Sequence, residues 1–390
     1  MKKGYGGFIT LYTFSYMAIG VMMPLIGQYL KYMGFSGTQI GVITASGTFA
    51  AIIASTFWGK VYANTGNRKL LLVFLCFFAA VTSMVLSNIY IYVVFVLGYG
   101  VMYFFQAPVM ALSDVLTIDE KKPFGYVRMW GAVGFALGIF VSANVAEALG
   151  LGSIFFIYAG CFLLCAWAVI MICRREKSSR ECSAPLEKRE KAPKYRYRDL
   201  RSNKKLIMLL VSAFFLCGTN VANNTYFSFL YIKEGGTLAG VGLAFLLMAG
   251  SEAPFMAWTV KLSKRMGTEK LILLAMILSV IRFAWYGTSP AYFLLLALFF
   301  LQGAVNGIIL VEFVKYVSAL VLPVYNGVAI SAYYAFSSSF SAIVCQFAGG
   351  VMLDNFGAAG VYVFFALYNL VGLVLYIIFG MHKKTEKKGK

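Results

Sequence analysis

Only 13% of the 390 residues are charged, while 61% are hydrophobic and 17% aromatic; this excludes a water-soluble globule and describes a chain dissolved in lipid. The 34 Lys and Arg against 15 Asp and Glu give a formal net charge of +19. Arg174 to Lys205 alone holds 13 basic against 5 acidic residues, and Lys2, Lys3 and the tail beyond Met381 carry much of the rest. No zinc-finger spacing, RNA-binding aromatic signature or folded basic domain accompanies this charge, so it sets membrane orientation and implies no nucleic-acid partner.

Apolar runs bounded by Gly, Pro, Asn or charge predict spans at Phe8–Leu30, Gly37–Tyr62, Leu70–Ser87, Tyr90–Thr117, Phe124–Ala146 and Gly152–Cys173. Six more follow the basic stretch, at Leu206–Ile232, Ala239–Leu262, Leu271–Tyr286, Ala291–Val321, Gly327–Leu353 and Gly360–Met381. Each is near the roughly 20 residues that a bilayer-crossing helix needs. The expectation is an all-α membrane protein with twelve transmembrane helices: a six-helix bundle over 1–173, a basic linker over 174–205, a second bundle over 206–381 and a tail over 382–390.

With the N-terminus placed in the cytoplasm, inside segments collect 29 basic residues and outside loops only Lys31 and Lys233. This positive-inside asymmetry predicts that both termini and the linker are cytoplasmic. The first helix is too long for a signal peptide and lacks a small-residue cleavage site, so it is expected to be retained. Asn223-Asn224-Thr225 is a formal glycosylation sequon, but it lies inside an apolar span where no glycan is attached.

The residue inventory argues against enzymes. His382 is the single histidine, so neither a catalytic triad nor a zinc cluster can be assembled. Ala54 stands where a phosphate-binding loop before Gly59-Lys60 requires glycine, which argues against direct ATP coupling. No metal or cofactor is expected. The seven cysteines include no C-x-x-C pair, and all but Cys182 fall in apolar runs; they read mainly as small buried apolar residues.

The two sets of six repeat one another. Tyr29-Leu30-Lys31 with Gly34 recurs as Tyr231-Ile232-Lys233 with Gly236, Trp58 recurs as Trp258, and Leu149-Gly150 is echoed by Phe356-Gly357. Parallel six-helix repeats resemble the major facilitator fold, which implies a solute site near the midplane. Trp58-Gly59-Lys60-Val61-Tyr62-Ala63-Asn64-Thr65-Gly66-Asn67-Arg68-Lys69 is similar to that superfamily's loop between helices two and three, with Ala63 where the family usually carries an acid.

Within the superfamily the chain resembles the branch of lactose permease and the phenylpropionate permeases over nearly its whole length. The matching pieces, in order, are Tyr29-Leu30 with Ser36-Gly37-Thr38-Gln39-Ile40-Gly41, Ala107-Pro108 with Ser113-Asp114, Phe124-Gly125-Tyr126-Val127-Arg128-Met129-Trp130-Gly131, Asn224-Thr225-Tyr226-Phe227, Glu252, and Ser279-Val280-Ile281-Arg282. The resemblance implies that Arg128, Ala132 and Phe135, at i, i+4 and i+7 on one helical face, grip a solute through forked donors and a stacking ring. It also implies roles for Asp114, Glu252 and Arg282 in solute or proton handling. The family's His and Glu of helix ten are replaced here by Asn306-Gly307-Ile308-Ile309-Leu310, so the proton pathway must differ.

An ionised group in hydrocarbon costs roughly 2.5–3.5 kcal/mol on insertion scales unless it faces a partner or a wet cavity, and is therefore a functional candidate. Asp114 and Arg128 lie on consecutive helices, close enough to pair; the plainer alternative is a structural ion pair. Glu252 precedes Ala253-Pro254, where the proline frees a backbone carbonyl and can kink the helix. Arg282 lies deep in its span and reads either as a solute contact or as a fixed counter-ion. Glu312 is a third candidate proton site, although Lys315, three residues on, can neutralise it or snorkel to the interface. Asn220, Asn224, Tyr226, Gln302 and Asn306 complete the candidate solute contacts, with helix-to-helix hydrogen bonding as the alternative for each.

Taken together, these residues lead us to expect a monomeric multi-pass carrier in a bacterial inner (plasma) membrane. It would move a small polar organic solute (a sugar, nucleoside or aromatic carboxylate) with protons by alternating access, in contact with membrane lipid. A drug or metabolite exporter of the same fold is the alternative, and a membrane sensor working through its basic linker is a third.

Overall fold

The computed structural model describes residues 5–120, 122–177, 203–322 and 325–383. Most of the basic stretch and the end of the tail lie outside the described residues. In chain order the helices are α1 (Gly6–Met22), α2 (Ile26–Tyr32), α3 (Gly37–Asn64), α4 (Arg68–Leu86), α5 (Tyr92–Asp119), α6 (Phe124–Leu149), α7 (Ser153–Lys177), α8 (Lys204–Lys233), α9 (Leu238–Met266), α10 (Thr268–Gly287), α11 (Tyr292–Leu320), α12 (Asn326–Ala332) and α13 (Ser341–Ile378), with a π-helical segment, Tyr333–Phe340, between the last two.

Among the described residues, eleven helical stretches are long and apolar enough to cross a membrane. The last of these runs 53 residues from Asn326 to Ile378, about 80 Å of helix against a hydrocarbon core of about 30 Å. It is broken at Gly357, whose φ of 69° and ψ of −172° are not helical. Glycine alone takes that conformation without a Cβ clash. The break turns the stretch into two spans, and twelve result.

The first expected span differs in one respect. Instead of one helix over Phe8–Leu30, the chain is interrupted between Met22 and Ile26, at Pro24, whose ring and missing N–H disturb the preceding turn.

The chain divides into two compact units, Met1–Phe35 with Ser46–Ala192 and Ser36–Ala45 with Pro193–Lys390. In the first, α1 packs on α6 and α7, and α4 on α7 and α5. Lipid tails are as apolar as leucine, so close approach and hydrogen bonds hold such helices together. A methyl group at Gly134 or Gly138 of α6 would run into the backbone carbonyls of Thr13 or Met17 on α1. Those glycines therefore set the contact distance. Tyr158 donates to Gln106 Oε1 at 2.8 Å, tying α7 to α5.

In the second unit α8 packs on α13, α9 on α11, and α10 on both α13 and α11. Leu209, Leu216, Ile272, Phe313 and Val317 form part of its buried core. Gly303 and Gly307 of α11 lie against Met248, Ser251 and Glu252 of α9, an approach that fixes the depth of Glu252.

This unit also takes in the start of α3, whose first amides are capped twice. Ser36 and Gln39 exchange backbone-to-side-chain hydrogen bonds at 2.9 and 3.2 Å in a capping box. Asp354 of α13 adds a carboxylate that accepts from Gly37 N at 2.5 Å, Thr38 N at 2.7 Å and Thr38 Oγ1 at 2.6 Å. A carboxylate suits the positive end of a helix.

Candidate functional site

Polar side chains inside the spans gather into three clusters. The first is built by α1, α5 and α6. Arg128 Nη1 pairs with Asp114 Oδ2, and Tyr12 donates to the other carboxylate oxygen at 2.6 Å. Both oxygens of Asp114 are thus engaged. The guanidinium also lies 5.6 Å from the Phe124 ring centroid and 6.0 Å from that of Tyr16, within the range of cation–π attraction. With 45% of its side chain exposed, Arg128 is not closed off by this pair. About one and a half turns further along, at the end of α5, Asp119 and the following Glu120 take Arg68 and Lys69 at 2.9 and 2.7 Å. On α6, Ala132 is exposed and Phe135 half-buried, with the Phe135 carbonyl against Gly20 of α1.

The second cluster surrounds Arg282 of α10, which is wholly buried. Its Nη2 donates to Asn220 Oδ1 on α8 at 2.9 Å, and its guanidinium carbon lies 4.3 Å from the Phe283 ring centroid. Nε and Nη1 have no hydrogen-bond partner among the described residues, nor does the hydroxyl of nearby Tyr286. Beside it runs a chain of neutral groups: Tyr362 donates to Asn223 Oδ1 at 2.9 Å, and Asn223 Nδ2 donates to Gln302 Oε1 at 2.9 Å. Gln302 Nε2 is likewise unpartnered among the described residues.

Glu252 lies half-buried on α9 and forms no ion pair among the described residues. Asn306 on α11 directs Nδ2 to Met248 Sδ at 3.8 Å. Asn224 is half-buried on α8.

The third cluster joins α9 and α11. Ser263 donates to Glu312 Oε2 at 3.0 Å, and Lys315 Nζ reaches both Ser263 Oγ and Glu312 Oε2, the latter at 3.4 Å. Glu312 is fully buried while half of the Lys315 side chain is exposed. Lys315 therefore both neutralises the acid and reaches outward.

Two of the expected solute contacts are buried and hydrogen-bonded to another helix. Tyr226 is buried, with its hydroxyl on the Gln346 carbonyl at 2.5 Å, because α8 and α13 pack closely there. Gln302 is buried and spends its oxygen on Asn223. Sequence reasoning passed over Tyr12 and Tyr16, whose spacing of four on one face of α1 was a readable signal, and Ser263, Tyr286 and Tyr362, which carry none by themselves. Among the described residues no group of three or more His, Cys, Asp or Glu is placed to hold a metal.

The model of a family described as the MFS_1 like family matches residues 8–364. The chain is 27% identical over 398 residues to an uncharacterized transporter, YwbF, of Bacillus subtilis (strain 168), covering 99% of this chain and 95% of that one. It is 27% identical over 388 residues to a maltose permease of Geobacillus stearothermophilus, covering 98% and 96%. Among solved structures, the nucleoside transporter NupG matches with a TM-score of 0.81 over 97% of this chain and 99% of that one, at 15% identity. The likeness to NupG is one of fold.

Proposed function

Because the chain belongs to the MFS_1-like family, and so is a multi-pass membrane transporter of the major facilitator superfamily and not an enzyme, we propose that it carries a sugar- or nucleoside-like solute together with protons by alternating access. The observation that carries this reading is the Arg282 cluster. A buried cation held by a neutral amide, with Nε and Nη1 uncommitted, attracts hydroxyl or carbonyl oxygens and has no anion among the described residues to satisfy it. The maltose permease supports a polyhydroxylated solute, and the fold shared with a nucleoside transporter is compatible with it.

Arg128, with Phe135 and Ala132 on the same face of α6, supplies a second set of solute contacts. Asp114 fixes the Arg128 fork. Asn220 and Asn224 contribute amides to solute binding from α8, and Asn306 does so from α11. Glu252 is the proton carrier in this scheme, since Asp114 and Glu312 are both engaged by neighbouring cations. A carrier whose acid is ionised and unpaired reorients at a cost, whereas the protonated form loaded with solute reorients readily. The basic stretch and both termini lie in the cytoplasm, and the chain acts as a monomer.

The test is uptake of labelled maltose and uridine into proteoliposomes under an imposed pH step. The expected result is accumulation driven by an inward proton gradient, abolished in Glu252→Gln while exchange of solute across the membrane persists. If that variant still concentrates solute as well as the unaltered chain, Glu252 is not the coupling residue. If neither solute is moved, the solute class is wrong.

A further inference from the structure

On residues that belong to none of the three polar clusters, each unit carries a shallow groove near one helix end. Phe57, Lys60, Val61 and Asn64 of α3, with Thr65 just beyond it, line one of about 450 Å³. Trp258, Lys261, Leu262 and Arg265 of α9 line the other, of about 300 Å³. Spacings of three and four put each set on one helical face. At an offset of 201, one residue from the register that pairs Trp58 with Trp258, the linings correspond position by position: Phe57 with Trp258, Lys60 with Lys261, Val61 with Leu262 and Asn64 with Arg265.

Two features give the grooves their chemistry. Phe57 and Trp258 are 49% and 59% exposed, large rings one turn from a cation, the arrangement suited to the boundary between acyl chains and headgroups. The cations differ from those of neighbouring α4: Arg68 and Lys69 are neutralised by Asp119 and Glu120, whereas Lys60, Lys261 and Arg265 form no ion pair among the described residues. Each groove therefore offers an apolar wall and unneutralised positive charge side by side. A free phosphate would satisfy the charge and leave the ring uncovered. A zwitterionic lipid would cover the ring and bring its own cation.

We propose that the α9 groove is a binding site for an anionic phospholipid, whose phosphate is held by Lys261 and the Arg265 fork and whose acyl chain lies on Trp258 and Leu262. The α3 groove, with one lysine and an amide where α9 has two cations, is a weaker copy of it. Arginine favours the phosphate because its planar fork donates two parallel hydrogen bonds.

The site is tested by counting lipids that remain on the purified full-length protein in native mass spectrometry, after titration with phosphatidylglycerol or phosphatidylcholine. Phosphatidylglycerol should be retained in preference to phosphatidylcholine. Lys261→Gln with Arg265→Gln should weaken that retention by roughly fivefold for each cation removed, the weight of one basic residue near an anionic surface. Lys204→Gln with Lys270→Gln removes the same charge outside the groove and should leave retention unchanged. Equal retention of the two lipids, equal loss in both double variants, or displacement by millimolar inorganic phosphate would overturn the proposal. Trp258→Ala serves where the groove variant does not fold: it keeps both cations, should also weaken phosphatidylglycerol retention, and overturns the proposal if it does not.

Discussion

Arg282 on α10 donates to the side-chain oxygen of Asn220 on α8 at 2.9 Å, and no carboxylate among the described residues shares that guanidinium. An amide can orient an arginine without cancelling its charge. In the interior of a span this leaves a fixed positive centre, with two donors uncommitted, where a carboxylate partner would have produced a closed and neutral pair. The same residue thus serves packing and remains chemically open.

The Arg282 and Asn220 contact predicts an asymmetry between single and double variants. Asn220→Leu leaves a buried cation without its acceptor and should destabilise the protein by about 1–3 kcal/mol. Arg282→Met with Asn220→Leu should recover much of that stability, since removing both partners of a buried polar pair costs less than orphaning one. Thermal unfolding in detergent measures the difference. Transport should be lost in both variants. A single variant as stable as the unaltered protein would show that Asn220 does not hold Arg282.

Asp114 and Arg128 predict the opposite balance. Their pair is partly exposed, 26% and 45% by side chain, so screening reduces it to about 0.2–1 kcal/mol of stability. Asp114→Asn should therefore melt within a few degrees of the unaltered protein. Solute flux should nonetheless fall by about tenfold or more, because the Arg128 fork loses its orientation. Flux and melting temperature measured on one preparation separate the two roles; a large melting shift with normal flux would make the pair purely structural.

How far these features were legible in the sequence depends on whether the partners are local. Hydropathy and the Gly-rich breaks gave twelve spans to within a few residues, because a bilayer demands length and apolarity whatever the packing. Asp114 and Arg128 were readable as a pair since α5 and α6 are consecutive. Arg282 was readable as a buried charge, but Asn220 lies 62 residues away on a helix that is not its neighbour in sequence. Asp354 fares worse: it caps α3 from 316 residues away, and nothing in the local pattern at either end announces it. Pro24 was visible as a residue, but an apolar run on both sides of it concealed the interruption.

Gly134 and Gly160 form an internal control for helix approach. A methyl group at Gly134 meets the Thr13 carbonyl of α1, whereas at Gly160 it meets nothing within 4 Å. Gly134→Ala should push α1 from α6 and cost about 1–3 kcal/mol. Gly160→Ala should be neutral or slightly stabilising, as alanine favours helix over glycine by up to about 1 kcal/mol. Unfolding temperatures of the two variants in one detergent decide it, and equal losses would mean that the α1–α6 distance is not set by glycine.

Glu312 and Lys315 test whether a buried acid needs its cation. The carboxylate is fully buried, with one oxygen on Ser263 and Lys315 and the other, Oε1, unpartnered among the described residues. Removing the lysine alone strands a charge in a low-dielectric site, a loss of about 3–5 kcal/mol for a buried pair, reduced here because Lys315 is half-exposed. Lys315→Met should accordingly be much less stable than Lys315→Met with Glu312→Gln, in which a neutral amide replaces the stranded carboxylate. The order matters for the coupling scheme as well: if Lys315→Met alone is tolerated, Glu312 does not depend on its cation and becomes a rival to Glu252. Uptake by the Glu312→Gln variant then discriminates, since proton-driven accumulation should survive that change if Glu252 carries the proton and should fail if Glu312 does.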